Sequence, residues 1–178
     1  MNKFLVSFIL LLSSLNVFSD VDLKKSRFKW LGTKVTGKHF GEISLKSASL
    51  KMKEEKIQSG RFEIDLNSMT VTDLTGEWAD KFLGHMKSSD FFDVKKFPTA
   101  VLEIKKVDDK NIYGKMTIKG KINEIKIPYK KSGKTYSGKM TFDRTKYDMV
   151  YGSGNFFKNL GDKVIYDEVT IDFSVVIK

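Results

Sequence analysis

The sequence predicts an all-β protein with antiparallel strands, folded as a sandwich or a barrel and carrying one short amphipathic helix. Apolar and polar residues alternate with a period of two over most of the 178 residues, which is the pattern of strands with one buried face. The alternating segments are short, evenly spaced and joined mostly by brief turns, as in antiparallel β proteins. One segment instead repeats its apolar residues every four positions, which is typical of a helix.

Nine segments are predicted as strands. Four of them alternate regularly, so that Phe62, Ile64 and Leu66, for example, share one face. These regular segments are residues 57–66, 112–119, 136–143 and 169–177. The less regular segments are residues 26–35, 39–46, 48–53, 99–107 and 122–131. Pro128 lies inside the last of these, and because proline cannot donate to a strand ladder, we expect it at an edge or a bulge.

The predicted helix lies between the strands 57–66 and 99–107. Thr75 is its predicted N-cap, and Glu77 in the first turn places a negative charge at the positive end of the helix. Trp78, Phe82 and Met86 recur every four residues and form an apolar stripe. We expect this stripe to face the strands, so that the helix acts as a lid.

The first 19 residues predict a secretory signal peptide rather than part of the fold. Lys3 precedes an apolar run at residues 4–12, and a more polar segment follows that ends in Ser19. We expect cleavage between Ser19 and Asp20, which leaves residues 20–178 as one domain in the periplasm or outside the cell. The alternative, an uncleaved membrane anchor, is disfavoured because a bilayer-spanning helix needs about 20 apolar residues.

Composition argues against several classes of function. Cysteine is absent, which excludes a disulfide framework and a thiolate metal site. His39 and His85 are the two histidines, and no nearby carboxylate spacing completes a zinc site, so we expect no metal and no other cofactor. No nucleophile elbow, phosphate-binding glycine loop or Ser-His-acid set occurs, and we expect no enzymatic activity. The net charge of +10 favours anionic surfaces, while the predicted export argues against nucleic acid as a partner.

The apolar strand faces allow two interpretations. In most β proteins such side chains fill their own core, and composition alone favours this filled-core interpretation. A barrel of about eight strands is also large enough to enclose one small ligand. The ligand interpretation is favoured by Gly114 and Gly138, which interrupt apolar faces without filling space. It is favoured as well by Met116 and Met140, whose flexible thioethers adapt to varied apolar partners.

Several spaced motifs occur along the chain. The most specific of them is HMKSSDFFDV at residues 85–94, followed by FPTA at residues 97–100. The other motifs are residues 30–41, residues 116–120 and the group Asp143, Arg144 and Tyr147. Together they resemble the YceI-like family of exported, lipocalin-like, polyisoprenoid-binding proteins, and the similarity covers essentially all of residues 20–178. It implies an extended, antiparallel, eight-stranded, lipocalin-like barrel around a long apolar tunnel.

The resemblance also implies a function: binding, storage or transport of a long-chain apolar molecule without catalysis. A polyisoprenoid, an isoprenoid quinone or a similar amphiphile is the expected partner, with any polar head near the rim because the inferred lumen carries almost no charge. We further expect a monomer or a homodimer and transient contact with an anionic membrane surface. The residues predicted to form the wall are Trp30, Phe40, Phe62, Ile64, Phe82, Met86, Phe92, Leu102, Met116, Phe142 and Phe173.

Two polar residues are candidates for the rim, each with a structural alternative. His85 either hydrogen-bonds a ligand headgroup or, as we prefer, orients the turn that ends the helix. Arg144, with Asp143 and Asp148, forms either a polar anchor at the mouth or, as we prefer, a fastening that holds a loop through carbonyls and carboxylates.

Phe156 and Phe157, which have lysines nearby, also allow two interpretations. They either dip into a membrane surface during ligand exchange or, as we prefer, pack over the core. The alternative function for the whole protein is a basic interaction module with a filled core, which docks on acidic partners or an anionic membrane. The outward lysines that would serve this module include Lys115, Lys119 and Lys139.

Overall fold

A computed structural model describes residues 17–178, in which ten strands form one antiparallel sheet beside one α-helix. The strands are β1 Val17–Asp20, β2 Arg27–Lys34, β3 Gly37–Glu42, β4 Ser44–Lys53, β5 Lys56–Asp65, β6 Thr99–Val107, β7 Asn111–Ile118, β8 Lys121–Ser132, β9 Thr135–Asp143 and β10 Ile165–Val176. The helix α1 is Gly76–Lys87, and short 3-10 helices lie at Leu66–Ser68, Arg144–Tyr147 and Gly161–Lys163. Within the described residues, every helix is too short or too polar to cross a lipid bilayer.

The sheet curls round on itself because β3 and β4 are two halves of one bent strand. β3 pairs with β2, β4 pairs with β5, and only Ile43 separates the two halves. The Ile43 amide still donates to the Phe28 carbonyl of β2 (3.1 Å) before the chain changes partner. With β3 and β4 counted as one, eight strands surround the interior, which confirms the predicted eight-stranded antiparallel barrel with a short helix. The two strands predicted at residues 39–46 and 48–53 thus divide at Ile43, and the irregularity at residues 45–47 is a register shift within β4.

β1 lies outside this ring of eight strands. Its backbone pairs with β4, and Val21, just after it, forms a bridge to Ile177 at the end of β10. The first three residues of β1 belong to the predicted signal peptide, and residues 1–16 lie outside the described part of the chain. Cleavage after Ser19 and the domain boundary there therefore stay predictions.

The long connections all lie at one end of the barrel. α1 and its flanking residues connect β5 with β6, and residues 144–164 connect β9 with β10. At the same end, the amide of Val35 in the β2–β3 turn donates to the Val164 carbonyl (3.1 Å). Short turns join β4 to β5, β6 to β7 and β8 to β9 at the opposite end. We call the end that carries α1, the β2–β3 turn and residues 144–164 the mouth.

A loop that follows β5 covers the free edge of β3. The amides of Thr70 and Thr72 donate to carbonyl oxygens of β3 at 2.9 Å each. Gly41 permits this close approach, because a side chain at this position would clash with the Thr70 carbonyl. The same carbonyl accepts a hydrogen bond from the indole nitrogen of Trp30 (2.9 Å). The loop therefore ties β2 and β3 to the segment that leads into α1.

β8 changes its partner strand at Pro128. Residues 121–128 pair with β7, whereas residues 129–132 pair with β9. Proline thus lies where the ladder is interrupted, as predicted from its missing N–H. Next to the unpaired part of β9, Tyr147 is buried and packs edge-on against Phe142, with 5.7 Å between ring centroids.

α1 is the predicted helix, with two differences in detail. Thr75 is the N-cap residue, but its side chain makes no capping hydrogen bond. Phe82 stacks on Trp30 of β2, with 5.9 Å between ring centroids and 11° between the planes. Trp78, one turn earlier on the expected stripe, is 73% exposed. Only the second half of the stripe therefore covers the barrel, and no residue of α1 is buried.

Gly41→Ala is expected to destabilise the protein, because the new methyl group would collide with the Thr70 carbonyl and displace the loop that covers β3. We expect the free energy of unfolding to fall by about 1–3 kcal/mol, measured by urea denaturation. Gly32→Ala is the matched control, since Gly32 lies in the neighbouring strand and a side chain there would meet no atom within 4 Å. Equal stability of the two variants would contradict this role of Gly41.

Candidate ligand-binding cavity

A cavity of about 210 Å³ occupies the interior of the barrel. One water molecule needs only about 10–15 Å³, so this space is far larger than a packing defect. Its wall consists mainly of inward side chains from the eight strands. Phe82 and Met86 of α1 and residues of the connections, such as Phe92 and Met149, complete it. The inward side chains do not meet at the barrel axis, and the filled-core interpretation does not describe this interior.

All but one of the residues predicted to form the wall line this cavity: Trp30, Phe62, Ile64, Phe82, Met86, Phe92, Leu102, Met116, Phe142 and Phe173. Phe40 is the exception, since it is 40% exposed and lies on the outer face. β2 pairs Trp30 with Gly41 and Leu31 with Phe40. Because neighbouring residues of a strand point to opposite faces, Phe40 points away from the side on which Trp30 lines the cavity. Contact of the lining residues with a ligand stays a prediction.

The end of the cavity opposite the mouth is closed. The Tyr136 hydroxyl donates to the Glu55 carbonyl (3.2 Å), and burial raises the pKa of this tyrosine, so the hydroxyl stays protonated as a donor. Its polar atom is therefore satisfied by the protein. The buried side chains that line this end are Ile57, Ile104, Ile112, Ile127, Tyr136 and Val175.

The two glycines expected to leave space in the wall do not do so. The ring of Phe173 lies directly against Gly138, and the Glu103 carbonyl lies directly against Gly114. That expectation is wrong because neighbouring groups occupy the volume a side chain would have taken. The free space instead borders larger inward residues such as Ile64. These side chains face the interior but are only half-buried, because the cavity lies next to them.

Arg144 is a buried cation that lines the cavity and is only 2% exposed. Its guanidinium forms an ion pair with Asp167, with Nη2 3.1 Å from Oδ1. Burial lowers the pKa of Arg144, while the charge of Asp167 opposes this change. Arg144 also donates to three backbone carbonyl oxygens, those of Met149, Ile165 and Tyr166. It thereby fastens residues 144–164 to β10, which is the loop-holding role preferred from the sequence.

The acidic partner of Arg144 differs from the two that the sequence suggested. Asp143 accepts a hydrogen bond from the Thr145 amide (2.9 Å) and caps the following 3-10 helix. Asp148 forms an ion pair with Lys121 (3.1 Å). Sequence reasoning considered only nearby acids and so missed Asp167, which the barrel brings to Arg144 from the next strand.

His85 does not line the cavity. Its Nε2 lies 3.3 Å from Asp90 Oδ2, and its ring packs edge-on against Phe91 and Tyr151 at centroid distances of 5.0 and 4.6 Å. Its carbonyl accepts a hydrogen bond from the Ser88 amide at the end of α1 (3.0 Å). These contacts match the structural alternative, in which His85 orients the turn that ends the helix. Among residues 17–178, no group of three or more His, Cys, Asp or Glu side chains is arranged to hold a metal ion.

Lys34 and His39 are among the polar residues that were not proposed for the site but line the mouth side of the cavity. Lys34 lies on the inward face of β2, and His39 lies on the inward face of β3. His39 Nδ1 is 2.7 Å from Asp73 Oδ2, and Asp73 Oδ1 accepts from the Phe40 amide (2.9 Å). Burial of Asp73 raises its pKa, but these two hydrogen bonds more than offset that effect, and the net pKa is lowered. In a strand every second residue lies on the same face, so Lys34 shares the inward face of Trp30 and Gly32. This alternation could have predicted from the sequence that Lys34 lines the cavity.

Aromatic side chains near the mouth are exposed. Phe156 is 58% exposed and Phe157 is 46% exposed, so the preferred interpretation that they pack over the core is wrong. The connection that carries them buries Tyr147, Met149 and Ser153 instead, and these residues occupy the places against the barrel. We call the exposed aromatic residues on α1, on this connection and at the start of β10 the aromatic rim: Trp78, Tyr151, Phe156, Phe157 and Tyr166.

Arg144→Met is expected to cost about 3–5 kcal/mol in the free energy of unfolding, because it removes a buried cation with its hydrogen bonds and leaves the half-buried carboxylate of Asp167 without its ion pair. Urea denaturation measures the loss. Lys139→Met is the matched control, since its ion pair with Asp172 (3.7 Å) is exposed and contributes about 0–1 kcal/mol. A similar small effect of both substitutions would show that Arg144 does not anchor the connection.

Comparison with known protein families finds a match to one family model. The profile of the YceI-like domain matches residues 20–177. Among solved structures, Burkholderia cenocepacia BcnA has a TM-score of 0.67 and 25% identity, covering 88% of this chain and 99% of that chain. A polyisoprenoid binding domain from Saccharophagus degradans, implicated in plant cell wall breakdown, has a TM-score of 0.62 and 15% identity over 92% and 99% of the two chains.

A Campylobacter jejuni YceI protein has a TM-score of 0.52 and 13% identity, covering 99% of this chain and 91% of that chain. No curated protein matches the sequence. At 13–15% identity the structural likeness concerns the fold, whereas the profile match extends over almost every described residue. The chain therefore belongs to the family of YceI-like domain proteins.

Proposed function

We propose that this protein binds a long apolar molecule inside its barrel and acts as a carrier or reservoir without catalysing a reaction. The observation that carries the proposal is the apolar cavity of about 210 Å³ that is closed at one end. A structurally similar protein is described as a polyisoprenoid binding domain, which supports the same ligand class here. The proposed ligand is a polyisoprenoid, an isoprenoid quinone or a similar long-chain amphiphile.

The wall of the cavity favours a hydrocarbon. Each methylene group that moves from water into such a space contributes about 0.8 kcal/mol, whereas an unpaired polar group loses its hydrogen bonds to water. In the described part of the chain, no buried side-chain nitrogen or oxygen lacks a hydrogen-bond partner. The buried side chains of the wall therefore offer no free donor or acceptor to a polar group deep in the cavity.

The closed end and the mouth together set a direction for the ligand. Isoleucine side chains such as Ile57 and Ile112 line the closed end. Lys34, His39 and Arg144 all line the mouth side. A molecule with an apolar tail and one polar head is accommodated best with its tail at the closed end.

Binding is better supported than catalysis. The charged groups of Arg144 and Asp167 are committed to each other and to backbone carbonyls, and Ser153 donates to the same carboxylate (2.8 Å). No acid, base and nucleophile converge on the cavity in the described residues. The alternative of a filled-core docking module is less well supported, because the barrel contains the cavity.

Entry of a ligand requires part of the wall to move, and α1 is the part that we expect to do so. None of its residues is buried, and it adjoins the barrel through Phe82, which stacks on Trp30. Displacing α1 therefore uncovers no fully buried side chain of the helix, only the half-buried Phe82, Leu83 and Met86.

We also propose that exchange takes place at an anionic membrane surface in the periplasm or outside the cell. The aromatic rim presents Trp, Tyr and Phe side chains, which favour the boundary between lipid headgroups and acyl chains. The formal net charge of +10 adds attraction to anionic lipids. The oligomeric state, monomer or homodimer, stays a prediction.

Protein purified gently from cells with intact lipids is expected to carry a long-chain amphiphile, detected by native mass spectrometry and by organic extraction. Leu102→Trp, which adds bulk inside the cavity, is expected to reduce the amount of bound molecule at least several-fold. Ile122→Trp is the control, because Ile122 is 64% exposed and lies outside the cavity lining. Preparations that never contain an amphiphile, from either wild type or control, would contradict the proposal.

A variant with Phe156→Ser and Phe157→Ser is expected to bind anionic vesicles at least tenfold more weakly than wild type in a sedimentation assay, because it loses exposed aromatic surface. Leu23→Ser is the control: Leu23 is also exposed but lies next to the end of β10, far from the mouth. If the aromatic variant and the control bind vesicles equally well, the rim is not the membrane contact.

A further inference from the structure

Lys34 is a cation at the cavity mouth that the protein does not neutralise. It lines the cavity and is half-buried, and within residues 17–178 its side chain has no ion-pair or hydrogen-bond partner. Arg144, which also lines the cavity, is in contrast fully engaged, with Asp167 and three backbone carbonyls as partners. An ammonium without a protein partner is free to bind an anion or another strong acceptor.

His39 presents a second unused polar atom beside Lys34. Asp73 is ionised at neutral pH, because its pKa is lowered, and an ionised carboxylate can only accept. Nδ1 of His39 must therefore carry the proton in the 2.7 Å contact with Asp73. Nε2 has no protein partner in the described part of the chain. The ring is held in place on its other side by Phe82 of α1, at 4.7 Å between centroids.

Gly32 leaves an open notch between these two side chains. In the β2–β3 ladder Gly32 lies directly opposite His39, and Lys34 is the next inward residue on the same strand. Diagonal neighbours of this kind are about 7–8 Å apart, which leaves room for one small group between them. A side chain at Gly32 would meet no atom within 4 Å, and Gly32 itself lines the cavity.

We propose that this notch, formed by Gly32, Lys34 and His39, binds the anionic head of the ligand, a carboxylate or a phosphate, while the apolar chain lies in the cavity. The inference rests on the proposed function and specifies the class of headgroup. The Lys34 ammonium supplies a point charge for an oxyanion. Nε2 of His39 donates to the same oxyanion when the ring is protonated.

Calorimetric titration of the delipidated protein with three ligands of equal chain length tests the inference: hexadecanoate, hexadecyl phosphate and hexadecanol. Lys34→Met keeps the apolar stem and removes the charge. It is expected to weaken binding of at least one of the two anions about tenfold, the typical effect of losing a hydrogen bond to a charged group, and to change binding of the alcohol less than twofold. The anion that shows the greater loss identifies the carboxylate or the phosphate as the preferred head.

Lys38→Met is the matched control, because Lys38 lies on the same hairpin but is exposed and does not line the cavity. It is expected to leave all three affinities within twofold of wild type. Lys34→Glu provides an independent test: it is expected to abolish the preference for the anions and to create a preference for hexadecylamine over hexadecanol.

Four results would overturn the inference. If wild type binds the anions no better than the alcohol, or if Lys34→Met weakens all three ligands equally, the notch does not recognise an anionic head, although the carrier function stands. If Lys34→Glu does not reverse the preference, the contact is not electrostatic. If wild type binds none of the three chains, the proposed function itself fails.

Discussion

The closed ring of eight strands is the constraint on which the rest of the structure depends. In such a ring every second residue of every strand must point inwards, and the number of strands sets the width of the space that those residues share. Here the inward residues are mostly Phe, Ile, Leu and Met, which cover the wall but leave about 210 Å³ between them. The ring closes because the chain bends at Ile43 and pairs first with β2 and then with β5.

The two ends of the ring differ, and this difference gives the cavity a mouth. At one end, short turns and buried residues such as Ile57 and Tyr136 close the space. At the other end the chain makes two long connections, and α1 covers the opening without burying any of its own residues. The stable part of the wall is thus the hydrogen-bonded sheet, while the least buried element lies over the entrance.

The cationic side chains at the mouth are of two kinds, one paired with a carboxylate and one not, and a sequence does not distinguish them. Arg144 is buried, and its charge is balanced by Asp167 and by carbonyl oxygens, so it acts as an anchor for the connection to β10. Lys34 lines the same cavity without such a partner in the described residues. Identifying Arg144 as an anchor requires knowing which residue of another strand it contacts. Identifying Lys34 as a cation of the cavity requires only knowing that it lies on an inward strand face.

The sequence by itself determined the strands, the helix and most of the wall, because period-two alternation states directly which side chains share a face. It did not determine that Phe40, in a weakly alternating strand, points outwards, or that Phe156 and Phe157 are exposed. Nor did it determine that the ring of Phe173 occupies the space beside Gly138. Only the tertiary structure decided whether the inward residues leave a cavity, and which acid reaches Arg144. These outcomes depend on distances between residues far apart in the chain, which a local pattern of polarity does not contain.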